Sequence, residues 1–248
     1  MYSFLMIGQS NMAGRGKLGE VEPIVNNQTF MLRNGRWQKM STPVNPDRTT
    51  SGISLAESFA HSFAKTYNLE VGLIPCADGG TCLDQWMPGE LLYDNAVMQT
   101  KLAMKTSKLA GVLWHQGESD SFDGRHVDYQ KKLAFIFESL RKDLNLSNDV
   151  PFLVGGLGDY LKDYKGKHDF SAYVYVNEAL KSMAKQNDYI SFVSAEGLTA
   201  YENDVHFTSR SLREFGNRYF IAYKQLNPNL KPLIRDSKGF IISDIEEL

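Results

Sequence analysis

Ser3-Phe-Leu-Met-Ile-Gly-Gln-Ser-Asn-Met12 begins as an apolar run, Phe4 to Ile7, and breaks at Gly8 into the polar residues Gln9, Ser10 and Asn11. Four consecutive apolar residues bounded by a glycine read as a strand buried on both faces. A hydroxyl just past the carboxyl end of such a strand is how open α/β sheets display a nucleophile. The same three residue types also fill ordinary surface turns, so the remaining chain has to decide between the two.

Working outward, four more short apolar runs follow at intervals: Val71–Pro75, Gly111–His115, Val150–Val154 and Tyr189–Val193. Between them lie stretches of helical spacing. Leu55, Phe59, Phe63 and Tyr67 share one face behind a Ser51 or Ser54 cap, and Leu133, Phe137, Leu140 and Leu144 share another. Further helices are expected over 92–109, 171–185 and 207–226. Strands alternating with helices imply βαβ units, and hence a three-layer α/β/α architecture around a central, mostly parallel five-stranded sheet. Asn34-Gly35, flanked by Phe30-Met31-Leu32 and Arg36-Trp37, signals a separate small hairpin. No repeat, low-complexity run or linker divides residues 1–248, so one domain is expected.

Composition narrows the function. The 248 residues are 42% hydrophobic and 23% charged, with a formal net charge of −2, so there is no basic excess to hold a nucleic-acid backbone. No apolar run approaches the roughly 18–20 residues that span a bilayer. The N-terminal residues lack the basic segment and apolar stretch of a secretory leader, so a cytoplasmic protein is expected. Cys76 and Cys82 form no disulfide framework and have no metal-ligand company, so they read as free thiols.

In a parallel sheet the loops after the strands gather on one rim. Ser10, Gly79-Gly80, Gln116-Gly117-Glu118 and Asp204-Val205-His206 all follow strands and would meet there. Acyl transfer needs a nucleophile, a base and oxyanion donors. Ser10 supplies the hydroxyl. His206 lies just before the last helix, with His115 as the competing base. The backbone N–H groups of Ser10 and Gly80 and the side-chain amide of Gln116 are candidate oxyanion donors. Gln9, Asn11 and Trp86 flank these blocks and are candidate substrate contacts; Trp114 reads as core.

The blocks Gly8-Gln9-Ser10-Asn11-Met12, Gly79-Gly80-Thr81, His115-Gln116-Gly117-Glu118-Ser119-Asp120 and Asp204-Val205-His206-Phe207 resemble, in order, those of the SGNH hydrolases. More narrowly they are similar to the carbohydrate esterase family six and sialate O-acetylesterase branch. The resemblance runs from residue 3 to about 225. It implies a flavodoxin-like SGNH fold, Ser10 as nucleophile, His206 as base, and an oxyanion hole from Ser10, Gly80 and Gln116. It further implies removal of acetyl groups from small acetylated carbohydrates, such as xylo-oligosaccharide or sialic acid, without metal or cofactor. A weakly catalytic carbohydrate-binding protein and a sugar O-acyltransferase are the alternatives on the same scaffold. One departure stands out: the wider superfamily has its triad Asp three residues before the His, and here that residue is Asn203. Glu118 and Asp204 are the acids left to orient His206. Glu118 is favoured, because in an extended segment a displacement of one residue turns the Asp204 side chain away.

Overall fold

In the computed structural model, which describes residues 1–226, 230–234, 236–237 and 241, the Ser3–Met12 stretch lies at the middle of the sheet. Strand β1 (Tyr2–Gly8) has every residue buried. It pairs in parallel with β4 (Val71–Pro75) on one side and β5 (Lys108–His115) on the other. β6 (Phe152–Gly155) and β7 (Ile190–Val193) continue in parallel beyond β5. The Asn34-Gly35 hairpin, β2 (Thr29–Arg33) and β3 (Arg36–Lys39), does not stand apart: β2 pairs in parallel with β4, and β3 closes the edge antiparallel. Among the described residues the sheet therefore has seven strands, in the order β3-β2-β4-β1-β5-β6-β7, rather than five.

Alternation along β1 builds the two cores. Phe4 and Met6 face the layer of α2 (Leu55–Tyr67) and α6 (Ser209–Leu226), while Leu5 and Ile7 face that of α3 (Leu91–Met104), α4 (Tyr129–Asp143) and α5 (Tyr173–Gln186). Phe4 meets Phe59 and Tyr223 edge-on at centroid distances of 4.7 and 5.0 Å. Burying such a side chain contributes about 1.5–3 kcal/mol. α2 starts where Ser54 and Glu57 form a capping box. α3 ends at Met104, short of the expected Leu109, because Leu109 is taken into β5 opposite Ser3.

β1 exits into a single helical turn, α1 (Ser10–Ala13). Gly8 sits at φ +132°, and a Cβ there would come within 2.0 Å of the His115 carbonyl oxygen. Only glycine permits that approach, which lets the Gln9 N–H reach the same oxygen at 2.9 Å. On the other side the Asp78 N–H donates to the Gly8 carbonyl at 3.0 Å. The start of α1 is thus held between the loops that leave β4 and β5.

Candidate active site

Ser10 Oγ lies 3.0 Å from His206 Nε2, and His206 Nδ1 lies 2.7 Å from Asp204 Oδ1. Both imidazole nitrogens are thereby engaged, one by a hydroxyl and one by a carboxylate. Ser10 is nearly buried, while the His206 and Asp204 side chains are 25% and 40% exposed. The hydroxyl is thus covered and the imidazole faces the rim.

Asp204, not Glu118, is the acid beside His206. The segment before the histidine is not extended. A turn from Tyr201 to Asp204 is closed by the Asp204 N–H on the Tyr201 carbonyl at 3.2 Å, with Asn203 in the left-handed region at φ +49°. Asparagine tolerates that conformation, and its Oδ1 accepts from the Lys165 N–H at 2.9 Å. The turn absorbs the one-residue displacement. Asp204 Oδ1 also accepts from the backbone N–H groups of Val205 and His206, at 2.6 and 3.2 Å, so it is fixed before the imidazole reaches it.

Glu118 points elsewhere. It is buried, its Oε1 accepting from the Asn11 amide at 2.5 Å and lying 3.2 Å from His115 Nε2. His115 is itself fully buried, which removes it as a competing base. Burial by itself would push the Glu118 carboxyl upward, but the neighbouring His115 and the Asn11 hydrogen bond outweigh it and hold the group below the usual carboxylate value. The folded protein therefore holds this proton less tightly than the unfolded chain. The stability this contributes is full above the unfolded value of about 4.3 and is lost as pH falls through the lower folded one. Glu118→Gln should flatten the acid-side loss of stability below about pH 4.3, read as chemical-denaturation midpoints against pH.

Four of the residues expected at the site are buried. Gln116 is fully buried, and its amide nitrogen faces Gln9 Oε1 at 3.3 Å, the Thr81 carbonyl at 3.0 Å and Asp120 Oδ2 at 2.5 Å. All three are acceptors, so the amide orientation is fixed and its two hydrogens are spent. Gln116 ties together the loops that carry Gln9, Thr81 and Asp120. Asp120 is pushed above the usual carboxylate value by burial, against the Gln116 and Leu83 hydrogen bonds. Gln116→Ala should accordingly cost about 1–3 kcal/mol of stability, through acceptors left unpartnered, in urea denaturation. A 10²–10³-fold loss of turnover at unchanged stability would return it to the oxyanion hole. Gln9 is likewise internal, its Oε1 accepting from the Gly117 and Ser119 N–H groups at 3.3 and 3.2 Å. Trp86 is core: it is 1% exposed, donates to Thr81 Oγ1 at 3.0 Å and packs edge-on against Trp114. Asn11 is 0% exposed and contacts no open surface either.

The remaining oxyanion candidates are backbone groups. Gly80 is exposed at φ +77°, and among the described residues no backbone acceptor takes up the N–H of Ser10 or Gly80. The glycine loop is clamped from below. Arg15 pairs with Asp47 through both guanidinium nitrogens, at 3.0 and 2.6 Å, and Asp47 accepts from the Gly79 N–H at 2.9 Å. Asn45 exchanges two hydrogen bonds of 2.9 Å with the Ala77 backbone. Burial raises the Asp47 carboxyl, but the Arg15, Ser51 and Gly79 hydrogen bonds outweigh it and leave the group lowered. None of these clamp residues carries a local sequence signal, and the fold buries the Arg15 side chain to 7%. Cys76 lies beside this loop as a buried free thiol, pushed up to about 12 by burial. Among the described residues no group of three or more His, Cys, Asp or Glu is arranged to hold a metal ion, and no helix is long and apolar enough to cross a membrane.

Comparison with known proteins adds independent findings. The family model described as carbohydrate esterase, sialic acid-specific acetylesterase matches residues 1–225. A probable carbohydrate esterase of Arabidopsis thaliana is 28% identical over 246 residues, covering 89% of each chain. A solved structure from Arabidopsis thaliana superposes with a TM-score of 0.79 at 26% identity, covering 90% of this chain and 98% of that one. The structure of NanS gives a TM-score of 0.73 at 19% identity over 90% and 96%, a likeness of fold. With its rim of Ser10, His206 and Asp204 on an SGNH-type α/β/α sheet, the chain belongs to the carbohydrate esterase, sialic acid-specific acetylesterase family and is a carboxylic ester hydrolase.

Proposed function

We propose that this carbohydrate acetylesterase acts on O-acetylated mono- or oligosaccharides through a covalent acetyl-Ser10 intermediate. The observation that carries the reading is the continuous Ser10–His206–Asp204 hydrogen-bonded line. His206 Nε2 accepts the Ser10 proton as Oγ attacks the acetyl carbonyl carbon. Negative charge then forms on the carbonyl oxygen, facing the Ser10 and Gly80 backbone N–H groups. His206 returns the proton to the departing sugar oxygen as the carbon–oxygen bond breaks. Water, deprotonated by His206, releases acetate and restores Ser10. Asp204 stabilises the imidazolium that forms in each half and keeps the proton on Nδ1. No metal takes part in these steps.

The test is hydrolysis of 4-nitrophenyl acetate, butyrate and octanoate by the parent and Ser10→Ala, followed by acetate release from O-acetylated xylo-oligosaccharide and O-acetylated sialic acid. Ser10-dependent turnover fastest on acetate, with acetate released from at least one sugar, is expected. Equal rates in parent and Ser10→Ala would remove the nucleophile.

A further inference from the structure

Glu118 is a buried carboxylate that the reaction above leaves without a part. Its Oε1 has two side-chain partners, His115 Nε2 at 3.2 Å and the amide of Asn11, the residue next to Ser10. The Asn11 amide is used at every position. One Nδ2 hydrogen goes to Glu118 Oε1 at 2.5 Å and the other to the Val205 carbonyl at 3.1 Å, while Oδ1 accepts from the Phe207 N–H at 3.1 Å. Val205 and Phe207 are the residues on either side of His206. A single side chain anchored beside Ser10 therefore grips the backbone before and after the base.

The amide cannot turn over without loss, since Glu118 and the Val205 carbonyl both accept and the Phe207 N–H donates. Glu118 adds a charged acceptor to the two backbone groups that favour this orientation. The surroundings give the loop support but not this registration: Tyr160 donates to the same Val205 carbonyl at 3.1 Å, and the Phe207 ring is enclosed by Tyr160, His115 and Phe215. Those contacts hold the loop against the core. Among the described residues, Asn11 is the side chain besides His206 itself that hydrogen-bonds residues 205–207 to the turn that carries Ser10 Oγ.

We propose that Asn11 and Glu118 are a positioning pair for the base, Glu118 orienting the Asn11 amide and Asn11 setting the placement of His206 over Ser10. Neither touches the substrate. The inference rests on the reading of His206 as base. Misplacement of a reacting group by about 1 Å costs on the order of 10²-fold in rate, which sets the scale.

The experiment places Asn11→Ala and Glu118→Gln in the parent and in His206→Ala, measuring kcat and KM on 4-nitrophenyl acetate and thermal unfolding for each. In the parent, Asn11→Ala should lower kcat about 30–100-fold and Glu118→Gln about 5-fold, both with KM within about twofold. Combining the two should cost no more than Asn11→Ala alone, because they act as a unit. In His206→Ala, neither should lower the residual rate further, since the group they place is gone. A merely structural role predicts the opposite: the same fold-loss with His206 present or absent, tracking the fall in unfolding temperature. That result, or additive losses of Asn11→Ala and Glu118→Gln, overturns the proposal. Should Asn11→Ala fail to fold, Glu118→Gln keeps the side-chain shape and carries the same comparison alone. Ser10→Ala is run alongside. If it stays active, the reading of the site has failed; if it is inactive while losses are independent of His206, only the positioning role has.

Discussion

Ser10→Ala and His206→Ala should each lower kcat by about 10⁶-fold on an acetyl ester, and the double variant should fall no further. The reason is that the two groups perform one event. Without Oγ there is no bond for His206 to assist; without the imidazole at 3.0 Å the hydroxyl keeps its proton and is a poor nucleophile. The residual rate in all three should be the same, set by binding and by the backbone donors at Ser10 and Gly80. A single-turnover measurement with 4-nitrophenyl acetate checks it, following acetyl incorporation on the parent and its absence in each variant. Losses that multiply in the double variant would mean that Ser10 and His206 act in separate steps.

Asp204→Asn should cost about 10²-fold, short of the roughly 10⁴-fold that follows neutralising a buried triad aspartate. Asp204 Oδ1 is the single atom that accepts from the Val205 N–H, the His206 N–H and His206 Nδ1. An asparagine oxygen in the same place keeps all three contacts, so the substitution isolates charge from geometry. The side chain is 40% exposed, and water screens what the charge contributes to the imidazolium. Asp204→Ala removes the turn contacts as well and should cost about 10³-fold. Parallel kcat determinations for Asp204→Asn and Glu118→Gln decide the assignment: a larger loss for Glu118→Gln would reverse it.

The layered architecture was legible because β1, β4 and β5 are buried on both faces and announce themselves as uninterrupted apolar runs. The hairpin was legible as a hairpin but not as part of the sheet, since its pairing with β4 is a contact across some 40 residues with no local pattern. At the site, Ser10 and His206 followed from strand-end position. The acid did not, because the choice turned on one backbone angle at Asn203 that the sequence carries only as a permissive residue type. Gln9, Asn11, Gln116 and Trp86 follow strand ends in the chain but face inward, where polar groups tie loops together. A polar residue beside a nucleophile reads the same in sequence whether it meets a ligand or a neighbouring loop.

The line from Ser10 to His206 crosses 196 positions of the chain. During synthesis β1 emerges before the segment that precedes α6, and Ser10 waits for His206 until that segment has followed. Chains of this length commonly pass through partly folded states, and in all of them that lack the docked α6 segment the serine has no base beside it. The appearance of Ser10-dependent esterase activity during refolding should therefore time the docking of that segment rather than the collapse of the sheet.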